Sequence, residues 1–128
     1  MNNFDKNQIL QNIIQKTNES AKELNDEDKN QNISEELQLI SEIPIRHFTP
    51  NEVVSLGAIV ELKFNNLVNF YFLSSTGAGL IIKINGKTIL VLSIFSSLGN
   101  VLLEKKVGDH FEIEVNGKQR RYEIINIY

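Results

Sequence analysis

Asp26, Glu27 and Asp28 form the sharpest cluster of chemically competent side chains in this sequence. Carboxylates presented on a protruding tip supply hard oxygen ligands for Mg²⁺, including a Mg²⁺ held in another macromolecule's active site. The same residue types make good solvated turns and helix caps, and at this point both readings stand. His47 and His110 fall in or beside predicted turns, without HxH or HExxH spacing, and read as surface histidines. Ser74, Ser75, Ser93, Ser96 and Ser97 lie in no GxSxG elbow. Thr76-Gly77-Ala78-Gly79 has the look of a phosphate loop but lacks the downstream Lys-Ser/Thr and opens no helix, so it reads as a flexible inter-strand loop. No catalytic constellation emerges. The sequence predicts neither an enzyme nor a cofactor.

Charge is distributed unevenly. Residues 1–50 hold nine acidic and five basic residues, a balance of −4, whereas residues 51–128 hold seven and eight, a balance of +1. An acidic first part argues against direct binding to nucleic-acid phosphates, which needs a basic surface. It suits approach to a positively charged or metal-containing site on another macromolecule, although solvated helices are also commonly rich in acids. The absence of cysteine excludes disulfides and thiolate metal sites. No apolar run approaches the roughly 20 residues that span a bilayer. The start, MNNFDKNQ, lacks a basic region followed by an apolar core, so a cytoplasmic protein without membrane attachment is expected.

The elements that must position the acidic cluster change character between Pro44 and Pro50. Before that segment, Leu10, Ile13, Thr17, Ser20 and Leu24 follow a 3-4-3-4 rhythm, widened by Ile9 and Ile14. Ile33, Leu37, Ile40 and Ile43 form a second stripe, and the polar run 25–32 lies between the two. This pattern predicts an antiparallel helical hairpin over residues 1–45, a short coiled coil with the three acids at its tip. Pro44 ends the second helix, because its ring disfavours helical geometry in the residue before it.

After Pro50 the period shortens to two. Strands are predicted over 58–64, 67–73, 80–84, 88–95, 111–115 and 121–127, with turns at Asn65-Asn66, Asn85-Gly86 and Asn116-Gly117. The fourth is apolar enough to be covered on both faces. Leu98, Val101 and Leu102 interrupt the alternation and predict one or two helical turns laid on the sheet. The expected fold class is α+β: the N-terminal hairpin, then a curved antiparallel β-sheet with one short helix over residues 51–128.

The stretch from Leu92 to Asp109 reads LSIFSSLGNVLLEKKVGD. It resembles the signature of Gre-type transcript-cleavage and elongation factors, IS-x-x-SPLG-x-ALLG-KK-x-GD, followed by a strand, a glycine-containing turn and an ending YxIxxI. Ser93, Ser96, Leu98, Gly99, Leu102, Leu103, Lys105, Lys106, Gly108 and Asp109 match, as do Tyr122, Ile124 and Ile127 at the end. Val54, Gly57 and Val60 match the opening V-x-x-G-S-x-V, with Ala58 in place of its serine. Ser97 stands where the family usually has proline, and Glu104 where it usually has glycine.

The resemblance implies an FKBP-like domain that binds RNA polymerase at the rim of its secondary channel, without sequence-specific nucleic-acid contact. It implies Ser96, Ser97, Leu98, Gly99, Lys105, Lys106 and Asp109 as the partner-binding segment. In cleavage factors of the family, an Asp and a Glu in a GDxxEN-like tip help hold the second Mg²⁺ for hydrolysis of backtracked RNA. Here that motif is absent, and the helices are short for the task. The expectation is therefore a bacterial polymerase-binding regulator without catalysis of its own. Two alternatives remain: true cleavage stimulation through Asp26, Glu27 and Asp28, and an FKBP-like interaction module that no longer binds polymerase.

Overall fold

The computed structural model describes residues 5–21 and 35–128. Helix α1 spans Lys6–Ala21 and opens where the Asp5 carboxylate accepts from the Asn7 amide at 3.1 Å, satisfying one of the free donors of the first turn. Residues 35–41 form a second helix, α2. It tightens through i→i−3 bonds, Glu42 to Leu39 and Ile43 to Ile40, and stops before Pro44 as the proline requires. The expected tip residues Asp26, Glu27 and Asp28 lie outside the described residues.

Six strands follow: β1 (Ile59–Phe64), β2 (Leu67–Ser74), β3 (Ile81–Ile84), β4 (Lys87–Ser93), β5 (His110–Val115) and β6 (Lys118–Ile127). The short helix α3 (Ser97–Leu102) lies between β4 and β5. The three hairpin turns carry positive φ at both central residues, from Asn65 and Asn66 through Asn85 and Gly86 to Asn116 and Gly117. This is the backbone hand that matches strand twist, and asparagine and glycine reach it at low cost.

The sheet order is β3-β4-β2-β1-β6-β5. One expectation is corrected here: the sheet is mixed, not wholly antiparallel. The chain leaves β2, crosses to the edge as β3, and returns between them as β4, parallel to β2 with Phe70 opposite Ile89 and Ser74 opposite Ser93. The other neighbouring pairs are antiparallel.

Each face carries its own core. On one, Ile59, Phe72, Ile82, Ile84, Ile89 and Val91 pack with Ile9, Leu10 and Ile13 of α1 and with Ile40 and Ile43 at the end of α2. Of the stripes expected to face each other, Leu10, Ile13, Ile40 and Ile43 are buried against the sheet, whereas Leu37 is exposed. On the other face, Val60, Leu62, Leu73, Tyr122, Ile124 and Ile127 pack with Val54 and Leu102. Strict alternation would send Ile124 and Ile127 to opposite faces. The β1–β6 register skips Ile125, pairing Glu61 with Asn126 and Leu62 with Ile124, and this bulge turns both isoleucines inward.

The loop after β2 is anchored, which corrects the expectation of a flexible one. Thr76 is buried, its amide donates to Ser74 Oγ at 3.1 Å, and its hydroxyl donates to the Glu36 carboxylate. A Cβ on Gly77 would stand 2.8 Å from Ile13 Cγ2, so the loop and α1 are in close contact. Among the described residues no helix is long and apolar enough to cross a membrane.

Candidate functional site

The segment from Ser93 to Asp109 runs along the edge of the second core, and its backbone is fixed at both ends. At the start, Ser96 Oγ donates to the Ser93 carbonyl at 2.7 Å and accepts from the Gly99 amide at 3.0 Å. Ser96 thus caps α3 while joining it to the end of β4. Gly99 is buried against that joint: an added Cβ would overlap the Ser93 carbonyl oxygen and stand 2.9 Å from its carbon. The Ser-x-Leu-Gly spacing is a packing rule, with the cap at the first position and a backbone approach at the fourth.

At its end, α3 unwinds through Glu104, whose φ of +70° is left-handed. That conformation ends helices well but is costly for a residue with a Cβ. Val54 holds the segment that follows, donating to the Lys105 carbonyl at 2.8 Å and accepting from the Glu104 amide at 2.8 Å. Lys106 to Asp109 then make a tight turn, with Gly108 at φ +92° in its third position. The Asp109 amide donates to the Lys106 carbonyl at 3.0 Å, and the Asp109 carboxylate accepts from the Lys106 amide at 2.8 Å. Gly108 and Asp109 are tied in turn to Ile124 of β6 by bonds of 2.8 and 3.0 Å.

The seven residues expected to meet a partner therefore divide. Ser96, Gly99 and Asp109 build the backbone, and Leu98 packs partly against the second core. Ser97 and Lys106 are exposed, and Lys105 is half-buried beside Lys106. Lys105 and Lys106 stand just past the end of α3, next to the Gly108-Asp109 turn. Phe95, expected to end a fourth strand covered on both faces, instead lies past the end of β4 and is the most exposed large apolar side chain among the described residues, at 77%. Neighbouring hydrophobicity concealed it, since Leu92 and Ile94 beside it pack inward.

A second constellation joins the helices to the sheet. The Lys6 ammonium is buried (3% exposed) and donates to the main-chain oxygens of Arg46 at 2.6 Å and Tyr128 at 2.9 Å. It also lies 4.6 Å from the centre of the Phe48 ring, which Arg46 covers at 3.9 Å. Burial, reinforced by the Arg46 charge and opposed by Glu52, lowers the Lys6 pKa to about 7. Glu52 accepts from the Thr49 amide at 2.7 Å and pairs with Arg46 at 2.8 Å, which holds its carboxyl below the usual range. His110 lies 4.0 Å from the Glu123 carboxylate on the opposite strand, and His47 is exposed. No cluster among the described residues has the makings of a metal site.

Residues 49–128, more than half of the chain, match the family described as transcription elongation factor, GreA/GreB, C-terminal. The chain belongs to the GreA/GreB transcription elongation factor family. Among solved structures it is similar to the transcription factor Gfh1 (21% identity, TM-score 0.51) and to Thermus aquaticus Gfh1 (20%, 0.50). Each of these likenesses covers 96% of this chain and 86% of the other. The prokaryotic transcription elongation factor GreA/GreB from Nitrosomonas europaea is similar at 21% identity and TM-score 0.45, over 68% of this chain and 64% of that one. At these identities the Gfh1 likenesses speak for the fold, and the third carries no argument. No curated protein matches the chain. The match places the fixed segment from Ser93 to Asp109 and the loop carrying Val54 inside the GreA/GreB region.

Proposed function

We propose that this GreA/GreB-family chain is a cytoplasmic regulator that binds RNA polymerase near its secondary channel and performs no catalysis of its own. The FKBP-like sheet region docks through α3 and the turn behind it, offering Ser97, Lys105 and Lys106. The helices occupy the channel mouth and compete with other factors that enter there.

The observation that carries this reading is the seating of the helices on the sheet. Ile13 and Ile40 lie in one core with Phe72 and Ile89. Ile14 packs against the same core, and the Glu36 carboxylate accepts from the Thr76 hydroxyl, so both helices stay on the sheet to at least those residues. Residues 15–35 lie between those two contacts, and divided into an outgoing and a returning arm they allow about 10 residues each, a helical reach of about 15 Å at 1.5 Å per residue. Direct coordination of Mg²⁺ tolerates little error around about 2.0–2.1 Å, so ligands on a short arm do not serve a distant metal. The second reading, cleavage stimulation by Asp26, Glu27 and Asp28, draws its support from the acidity of that segment.

Co-purification with core RNA polymerase tests the proposal. The wild type is expected to be retained, and reversal of both charges, Lys105→Glu with Lys106→Glu, is expected to weaken retention. Failure of the folded wild type to bind core polymerase would overturn it in favour of an interaction module with another partner.

A further inference from the structure

The outward surface of the Ser93–Asp109 segment is small once its structural residues are set aside. Ser96, Gly99 and Asp109 are occupied with backbone, while Leu102 and most of Leu98 face the second core. The exposed side chains that remain are Phe95, Ser97, Asn100, Glu104 and Lys106. Phe95 alone among them is a large apolar group, and 77% of it meets solvent.

Single exposed hydrophobic residues are ordinary on protein surfaces, and exposure by itself has no consequence. The backbone of Phe95 distinguishes it. Its amide donates to Ser93 Oγ at 3.0 Å. The preceding amide, of Ile94, donates to the Ser74 carbonyl at 3.0 Å, and the following one, of Ser96, to the Ser93 carbonyl at 3.2 Å. Three consecutive amides are therefore held, the residue before Phe95 packs inward, and the residue after it caps a helix. An aromatic side chain on so fixed a support has few degrees of freedom to lose on association, the property of residues that dominate protein interfaces. Leu67 and Ile81, each 64% exposed, lie on other parts of the sheet and not on this segment.

We propose that Phe95 is the apolar anchor of this protein's interface with RNA polymerase, entering a pocket on the polymerase surface. The inference rests on the reading given under Proposed function and adds the residue and the chemistry of its receptor. Phe95 precedes the cap of α3, and Lys105 and Lys106 follow its end. The six residues of α3 span about 9 Å at 1.5 Å per residue. The matching surface is an apolar pocket about one short helix away from an acidic patch. Ser97 and Asn100 supply polar contacts between the two.

The test is titration of core RNA polymerase with the full chain as wild type, Phe95→Ala, Phe95→Tyr and Leu67→Ala, with the melting temperature of each recorded. The expected result is an affinity loss of at least about tenfold for Phe95→Ala, the scale of an interface anchor, with near-wild-type binding by Phe95→Tyr and Leu67→Ala. Melting temperatures are expected to stay together, because the ring is outside the core. Wild-type binding that survives Phe95→Ala within twofold would overturn the anchor and leave the polymerase reading standing. Equal losses in Phe95→Ala and Leu67→Ala, or unfolding of Phe95→Ala, would also overturn it. A wild type that does not bind polymerase would remove the reading itself and the anchor with it.

Discussion

The Lys6 ammonium and the main-chain oxygen of Tyr128, 122 positions apart in the chain, are joined at 2.9 Å, so the first turn of α1 is tied to the residue that follows β6. The tie is buried, and the pKa of Lys6 falls from 10.5 to about 7, chiefly through desolvation and then through Arg46. The unfolded chain keeps this proton up to about pH 10.5, whereas the folded chain releases it near 7. Between those values folding expels a proton, so stability rises with pH across the window, and below about 7 this group adds no slope. Urea denaturation of the wild type between about pH 6 and 10 is expected to show that rise, and Lys6→Met to show a shallower one. Parallel curves for the two proteins would mean that Lys6 titrates normally in the fold.

Gly99→Ala should be among the most damaging single-methyl additions to the chain. Its Cβ has no room beside the Ser93 carbonyl, and that carbonyl cannot withdraw without breaking its bond to the Ser96 hydroxyl. A cost of about 3 kcal/mol or more is expected, as for severe overpacking. Gly108→Ala is the control: nothing lies within 4 Å of its added Cβ, and only the φ of +92° opposes it, at about 1–2 kcal/mol. Comparable losses for the two variants in chemical denaturation would contradict the crowding at Gly99.

Glu104→Gly should stabilise the protein. Glu104 holds a φ of +70° immediately after the α3 C-cap, where glycine adopts the same conformation without steric penalty. The gain is about 1 kcal/mol, less the extra flexibility that glycine gives the unfolded chain. A lowered melting temperature would show that the Glu104 side chain contributes more than its backbone costs.

The strands were legible because their signals are local. Alternation marks β1 through Val60, Leu62 and Phe64, and the asparagine-containing turns announce the hairpins by the positive φ they need. The parallel pairing of β2 with β4 was not legible, because no residue within either strand records which neighbour it meets. The stripe of Ile9, Leu10 and Ile13 showed that α1 buries a face, while its period is silent on whether a helix or a sheet covers it. The segment proposed to dock was singled out through its motif. The motif did not separate residues that hold the backbone from those that face outward, so Ser96 and Gly99 stood level with Lys106, and Phe95 was assigned to a strand covered on both faces. Exposure depends on folds brought from a distance, such as the seating of Ile94 against the second core.

The central claim, a polymerase-binding Gre-family protein without catalysis of its own, meets its most direct test on stalled, backtracked transcription complexes. RNA cleavage would be measured with no factor, with this protein, with an active cleavage factor, and with both together. The account predicts that the protein alone leaves the cleavage rate at its basal value, that it lowers the rate produced by the active factor in a dose-dependent way, and that the triple substitution Asp26→Ala, Glu27→Ala, Asp28→Ala leaves both results in place. Strong cleavage by the wild type that vanishes in the triple variant would contradict the account and make these three carboxylates the protein's catalytic contribution.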